Sequence, residues 1–485
     1  MRFYTIAAIL TLTLSFSGSA LAKDVPRLPN TPAGKEVAAY FAAFNAGEQA
    51  MRDFIAKDFA PEALKSRPMG ERIGVYRQLK SNLGGLDLRQ AEEAQGNVIA
   101  VMAQSQKGDW FKLSFEFEPK GGHKLLGIRI MNTDPPPDPS LPKLTQAQIL
   151  DSLEAYLAGQ VRTDEFSGAV LLARDGRVLY EKAFGLASRE FNVPNRVDTK
   201  FNLGSINKFF TKIAIRQLVQ QGRLSFEDTL GRYLPDYPNP AARRKVTIRH
   251  LLQMTSGIGD FFGPEFEGTP KDRIRSIQDY LPLFASKPLA FEPGTQRQYS
   301  NGGYVVLGAI IEKVTGQSYY DYVRENIAKP AGMENTDSYE ADVPVPNLAM
   351  GYTRGEEGKK DRPWRNNIYT RPARGSSAGG GYSTVEDLLK FTLALQANKF
   401  LSPEYTAWLL NDQEPTKDQK AEAKSKGKKG GLGIAGGAPG INSTLEMDLK
   451  TGYTTIVMTN YDPPCAMAAN RKIQGWLSRE KDKKD

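Results

Sequence analysis

One cysteine and two histidines in 485 residues remove several chemistries before any motif is considered. Cys465 has no second thiol to pair with, so no intramolecular disulfide is available, and no cysteine near residue 22 can carry a lipid. It stands beside Pro463-Pro464 with no histidine nearby in sequence, which reads as a packed small residue rather than a nucleophile. His123 and His250, with no cysteine or aspartate cluster around them, offer no zinc ligand set. They also limit any Ser-His-Asp arrangement to one of the two. The apolar run Ile6 to Phe16 is too short to span a bilayer comfortably, and no second run is long enough. No basic stretch has the interleaved aromatics or recognised motif that would mark a nucleic-acid partner.

What is present is an ordinary globular composition, 40% hydrophobic and 25% charged, with net charge +9. Arg2, the apolar run and Ala20-Leu21-Ala22 read as a secretory signal over residues 1–22, implying a periplasmic or secreted protein with no stable membrane span after cleavage. Export without disulfides suits a bacterial periplasm. The excess charge is partly local, in the lysine-rich Lys417 to Lys429 and Lys481 to Lys484, read as a solvated loop and tail. The alternative is attraction to an anionic envelope polymer or substrate.

Residues 24–132 read as a small α+β domain. Thr31-Pro32 caps a helix carrying Val37, Phe41 and Phe44. Trp110 to Glu118 alternates as a half-buried strand, flanked by strands at Val98–Ala103 and Leu125–Ile130. The order of elements resembles the nuclear-transport-factor-2-like group. Residues 133–144 are a proline-rich linker. The domain over 145–478 opens at a capping box, Thr145 to Gln148, and continues into a hairpin turned at Asp175-Gly176. Strands at Thr444–Asp448 and Tyr453–Thr459 and a helix from Cys465 suggest an α/β sandwich whose sheet pairs both ends of the domain, with a helical insert between. Residues 479–485 read as a charged tail.

Within this domain, Ser205 and Lys208 stand one turn apart if a helix begins at the serine. An amine beside a serine hydroxyl can activate it, and a helix N-terminus favours the charge that develops there. The bland reading is a helix cap with a solvated first-turn lysine. Tyr299-Ser300-Asn301 follows a Glu-Pro-Gly-Thr turn. A phenol there can shuttle the Ser205 proton, its pKa falling beside Lys208, and Asn301 can bind a substrate amide carbonyl. Gly431 to Gly436 spells G-x-G-x-x-G, but it follows a lysine-rich loop and precedes Pro439, so no dinucleotide site and no cofactor is expected. Gly375 to Gly379 spells G-x-S-x-G around Ser377, but no histidine follows it, so Ser377 reads as a loop residue before a helix capped by Ser383 and Glu386.

Phe201 to Lys208, Thr247 to Gly257, Phe291 to Thr295 and Tyr299 to Asn301 together resemble the β-lactamase/transpeptidase-like serine hydrolases, nearest the class C β-lactamase, family VIII esterase and D-aminopeptidase branch. The resemblance implies an α/β sandwich of β-lactamase/transpeptidase type with Ser205 as nucleophile. It further implies Lys208 and Tyr299 as the base system and Asn301 as a substrate-orienting amide. His250 falls in a motif where the side chain is usually structural, and His123 reads as a surface residue of the other domain, so the base is Lys208, Tyr299 or both. By the same analogy, Gly436 lines the substrate strand and the backbone N–H groups of Ser205 and Gly437 form an oxyanion hole. The third family motif departs: Ile434 holds the position that usually carries lysine or histidine, which puts β-lactam and D-Ala-D-Ala recognition in doubt. The expectation is an acyl-enzyme hydrolase of an ester, amide or D-amino-acid peptide, less readily a β-lactam. The substrate is a small molecule or peptide, of cell-wall origin in one reading. The rival is a non-catalytic envelope-binding or scaffold protein on a degenerate fold of this type.

Overall fold

The computed structural model describes residues 28–91, 96–119, 123–133, 141–355, 362–411 and 431–481. The expected signal and the lysine-rich loop lie outside these residues. The chain forms two compact units, 1–140 and 141–485. Among the described residues no helix is long and apolar enough to cross a membrane.

The first unit places four helices before a four-stranded antiparallel meander. The helices are α1 (Pro32–Ala46), α2 (Glu48–Asp58), α3 (Pro61–Ser66) and α4 (Met69–Leu83). The strands are β1 (Leu86–Ala91), β2 (Val98–Ser105), β3 (Trp110–Phe117) and β4 (Leu125–Thr133). Thr31 Oγ1 accepts from Gly34 N at 3.2 Å, which supplies one of the partners a helix start lacks. In β3 the alternation works as the pleat requires: Phe111, Leu113, Phe115 and Phe117 are buried. Phe115 meets Tyr40 of α1 edge-on, centroids 5.2 Å apart.

The second unit is built on a five-stranded antiparallel sheet. Its strands are β5 (Gly168–Arg174), β6 (Arg177–Phe184), β7 (Gly431–Ala438), β8 (Ile441–Asp448) and β9 (Tyr453–Thr459), in the order β7-β8-β9-β5-β6. The two ends of the domain join where β9 pairs with β5, Val457 opposite Val170. Asp175 and Gly176, at φ 50° and 78°, take the left-handed conformations that a two-residue hairpin needs. Val170 and Leu172 bury on one face against α5 (Gln146–Arg162) and the C-terminal helix Cys465–Leu477, through Leu153, Leu157, Ala469 and Ile473. Ala169, Leu171 and Ala173 bury on the other face, where the helical insert forms the larger core.

At the centre of that core is α6 (Asn207–Gln220). Ten of its fourteen residues are buried, Lys208 among them. The helix does not begin at Ser205. Gly204–Ile206 form a 3₁₀ turn, and α6 starts two residues after the serine. Two other expectations need correction. Arg479–Lys481 are not a free tail: Leu144 exchanges backbone hydrogen bonds with Arg479 and Lys481, and Glu480 pairs with Arg174 at 3.1 Å. The helix Val385–Gln396 is capped by Thr384, which accepts from Asp387 N, because the Ser383 hydroxyl is taken by Thr336 at 2.7 Å.

Candidate active site

Ser205 is presented by a backbone that only glycines allow. Gly204 has φ +49°, and a Cβ there would stand 2.8 Å from Gly437 N on edge strand β7. A Cβ on Gly436 would stand 2.0 Å from Leu203 O and 2.7 Å from Ser205 N. The serine turn and the edge strand therefore touch backbone to backbone. As an edge strand, β7 turns every second N–H away from β8, and Gly437 N faces the serine turn.

Helix α7 (Asn301–Thr315) supplies the other wall. Its cap, Ser300, accepts from Gly303 N at 2.8 Å and donates to Gly259 O at 3.0 Å, which ties the helix start to the preceding loop. This brings Tyr299 Oη to 2.7 Å from Ser205 Oγ. Lys208 Nζ donates to Ser205 Oγ at 3.1 Å, to Asn301 Oδ1 at 2.7 Å and to Ala378 O. The second end of the Asn301 amide is also used: Nδ2 donates to Asp260 Oδ2 at 2.7 Å. Ser205, Lys208, Tyr299 and Asn301 thus form one connected cluster, with Gly436 and Gly437 against it.

The electrostatics correct the expectation about the base. Lys208 is 6% exposed, and its desolvation lowers its pKa to about 7, against an opposing pull from the Asp260 carboxylate. Tyr299 moves the other way. Burial and Asp260 push its phenol above the ordinary value, outweighing the help of the Ser205 hydroxyl. With a lysine that ionises near neutrality and a phenol that resists ionisation, the arrangement has one group able to accept a proton and another able to donate one.

A cavity of about 450 Å³ opens above the serine. Phe261, Phe262, Tyr280 and Tyr339 line it, together with Ala435 to Pro439 of β7 and its turn. Ile434 is not in the wall. It lies opposite Leu445 and packs on the main core. Among the described residues no group of three or more His, Cys, Asp or Glu could hold a metal.

The remaining sequence-picked residues lie apart. His250 Nδ1 accepts from Thr247 N at 3.3 Å and closes a capping box, so its role is local. His123 is exposed in the first unit. Cys465 Sγ points to Glu165 O at 3.2 Å. Ser377 is buried and donates to Tyr304 O at 2.8 Å. Sequence reasoning missed Asp260 and the Ala378 carbonyl. The Asp260-Phe261-Phe262 run beside Ser256-Gly257 was the one local sign that a charged residue precedes an aromatic wall.

Comparison with known proteins places the chain in a family. The chain is 34% identical over 249 residues to penicillin-binding protein 4* of Bacillus subtilis, covering 49% of this chain and 54% of that one. It therefore spans about half the length of that relative. It is 29% identical over 373 residues to esterase EstB of Burkholderia gladioli, covering 67% and 93%. The solved penicillin-binding protein of Bacillus halodurans superposes with TM-score 0.56 at 31% identity, over 64% of this chain and 98% of that one. The family described as Beta-lactamase matches residues 153–477, which include the serine turn before α6, the capped helix α7 and the glycine-rich edge strand β7. That is more than half of the sequence, and the chain belongs to this family.

Proposed function

We propose that this protein is a serine hydrolase that forms an acyl-enzyme on Ser205, acting on an ester, an amide or a D-amino-acid peptide. The observation that carries the reading is the contact of Ser205 Oγ with both Lys208 Nζ, at 3.1 Å, and Tyr299 Oη, at 2.7 Å. Protonated Lys208 has three N–H groups and three acceptors: Ser205 Oγ, Asn301 Oδ1 and Ala378 O. When it loses a proton, two N–H groups stay on Asn301 and Ala378, and the lone pair faces the serine. Ser205 Oγ then attacks the carbonyl carbon as its proton passes to Lys208. The backbone N–H groups of Ser205 and Gly437 receive the oxyanion. Tyr299, neutral at pH 7, relays the proton to the leaving group. A water then hydrolyses the acyl-enzyme.

Asn301 holds Lys208 through Oδ1, and its second N–H is available to a substrate carbonyl. The name of the Burkholderia relative supports an ester. The apolar Ile434 in place of a cation argues against a β-lactam as the main substrate. The test is turnover of an aryl ester, a D-amino-acid amide, a D-Ala-D-Ala peptide and a cephalosporin by wild type and Ser205→Ala. Ser205-dependent turnover of the aryl ester or the D-amino-acid amide, with little of the last two, is expected. Turnover that survives in Ser205→Ala, or none across the panel together with cell-wall binding, overturns the proposal in favour of another centre or of a binding protein.

A further inference from the structure

Arg371 lines the cavity above Ser205, on the loop that precedes the Val385–Gln396 helix. Its guanidinium makes no hydrogen bond or ion pair with any described residue, whereas Arg374, three residues on, pairs with Glu340 and lies 3.7 Å over the Tyr320 ring. The loop itself is well held. Arg371 N donates to Asn367 O at 3.2 Å, and Asn367 Nδ2 donates to Pro439 O at 2.9 Å, at the turn that follows β7. Among the described residues that line the cavity, there is no aspartate, glutamate or lysine, and Arg371 carries the one full charge. The rest of the wall is uncharged: aromatic, aliphatic, amide and hydroxyl side chains with glycine backbone.

An arginine at such a wall with no counter-ion among the described residues leaves its planar fork open to a ligand anion. Ile434, an uncharged side chain that packs on the core, contributes no charge from the strand side.

We propose that Arg371 is a specificity-determining residue that binds a carboxylate carried by the substrate away from the scissile carbonyl. The substrates are thus anionic esters or amides, recognised from the 367–374 loop. This assignment rests on the reading of Ser205 as the nucleophile. A carboxylate matches the guanidinium in two parallel hydrogen bonds, and a carboxamide of the same shape does not.

The experiment compares two esters identical except that one ends in a free carboxylate and the other in its carboxamide, with wild type, Arg371→Ala and Arg371→Glu. Wild type is expected to favour the acid, mainly through KM. Arg371→Ala should lose roughly 10- to 100-fold in kcat/KM for the acid and little for the amide. Arg371→Glu should reverse the preference. Because a variant can fail to fold, the wild-type enzyme is also measured across salt, where kcat/KM for the acid should fall and that for the amide should hold. Equal kcat/KM for both esters in wild type, or equal loss for both in Arg371→Ala, overturns the assignment while leaving the hydrolase reading intact. Absence of Ser205-dependent turnover of either ester overturns the hydrolase reading, and the assignment with it.

Discussion

The pH dependence of acylation follows from the burial of Lys208. An ordinary lysine, at pKa about 10.4, is neutral in roughly one molecule in 2,500 at pH 7. Burial brings Lys208 from 10.5 to about 7, so close to half of the molecules hold a free amine at that pH. The gain in competent base is on the order of a thousandfold. The rate of fluorophosphonate labelling, and kcat/KM for a neutral aryl ester, should therefore rise about tenfold per pH unit below about 7 and level off above it. Lys208→Met should lower the rate by roughly 10²- to 10⁴-fold, the usual worth of a positioned base, and erase the inflection. A histidine is the natural rival for an inflection in this range, and His250 is the one in this unit. Its pKa is pushed below the ordinary 6.5 by burial, and it is spent on a helix cap. In His250→Gln the capping box can persist and the inflection should stay. A flat profile through pH 7, or an inflection that disappears in His250→Gln and survives in Lys208→Met, refutes the assignment of the base.

The same shift has a sign for stability. The unfolded chain keeps the lysine proton up to about 10.5 and the folded chain gives it up above about 7, so stability should rise by about 1.4 kcal/mol per pH unit between those values and lose that contribution below them. Urea unfolding at pH 7, 8 and 9 should show that slope in wild type, and a slope equal in Lys208→Met contradicts it. Asp260→Ala removes both the anchor of Asn301 and a charge that raises the Lys208 pKa. The inflection should move to lower pH while kcat falls, and an upward move contradicts the role. Gly204→Ala sets a Cβ 2.8 Å from Gly437 N at φ +49°. It should cost about 1–3 kcal/mol and most of the labelling, read by thermal unfolding and probe intensity. Ser377→Ala loses one buried hydrogen bond, about 1 kcal/mol, yet should label at the wild-type rate; loss of labelling in a folded variant would make Ser377 part of the chemistry.

Local chemistry carried much of this fold in the sequence. The alternation of Trp110 to Phe117, the Asp175-Gly176 turn and the Thr145 capping box each depend on neighbours a few residues away, and each forms in place. The spacing of Ser205 and Lys208 was legible for the same reason. The state of Lys208 was not. A lysine in a first turn reads as solvated, and only the packing of α6 on all sides makes it a desolvated amine. Its partners Asn301 and Ala378 lie 93 and 170 residues away, and Asp260 reaches Asn301 across 41. No periodicity encodes such contacts. The cap of the Val385–Gln396 helix was misplaced by one residue because Ser383 and Thr384 are equally good caps by type. The choice is made by Thr336, 47 residues upstream of Ser383.

Whether Ser205 is acylated can be read directly by intact-mass measurement with peptide mapping after brief incubation with an aryl ester, stopped by acid. The wild-type protein should gain the mass of one acyl group, mapped to the peptide that contains Ser205, and Ser205→Ala should gain none. An adduct on another residue, or equal adducts on both proteins, would contradict the account.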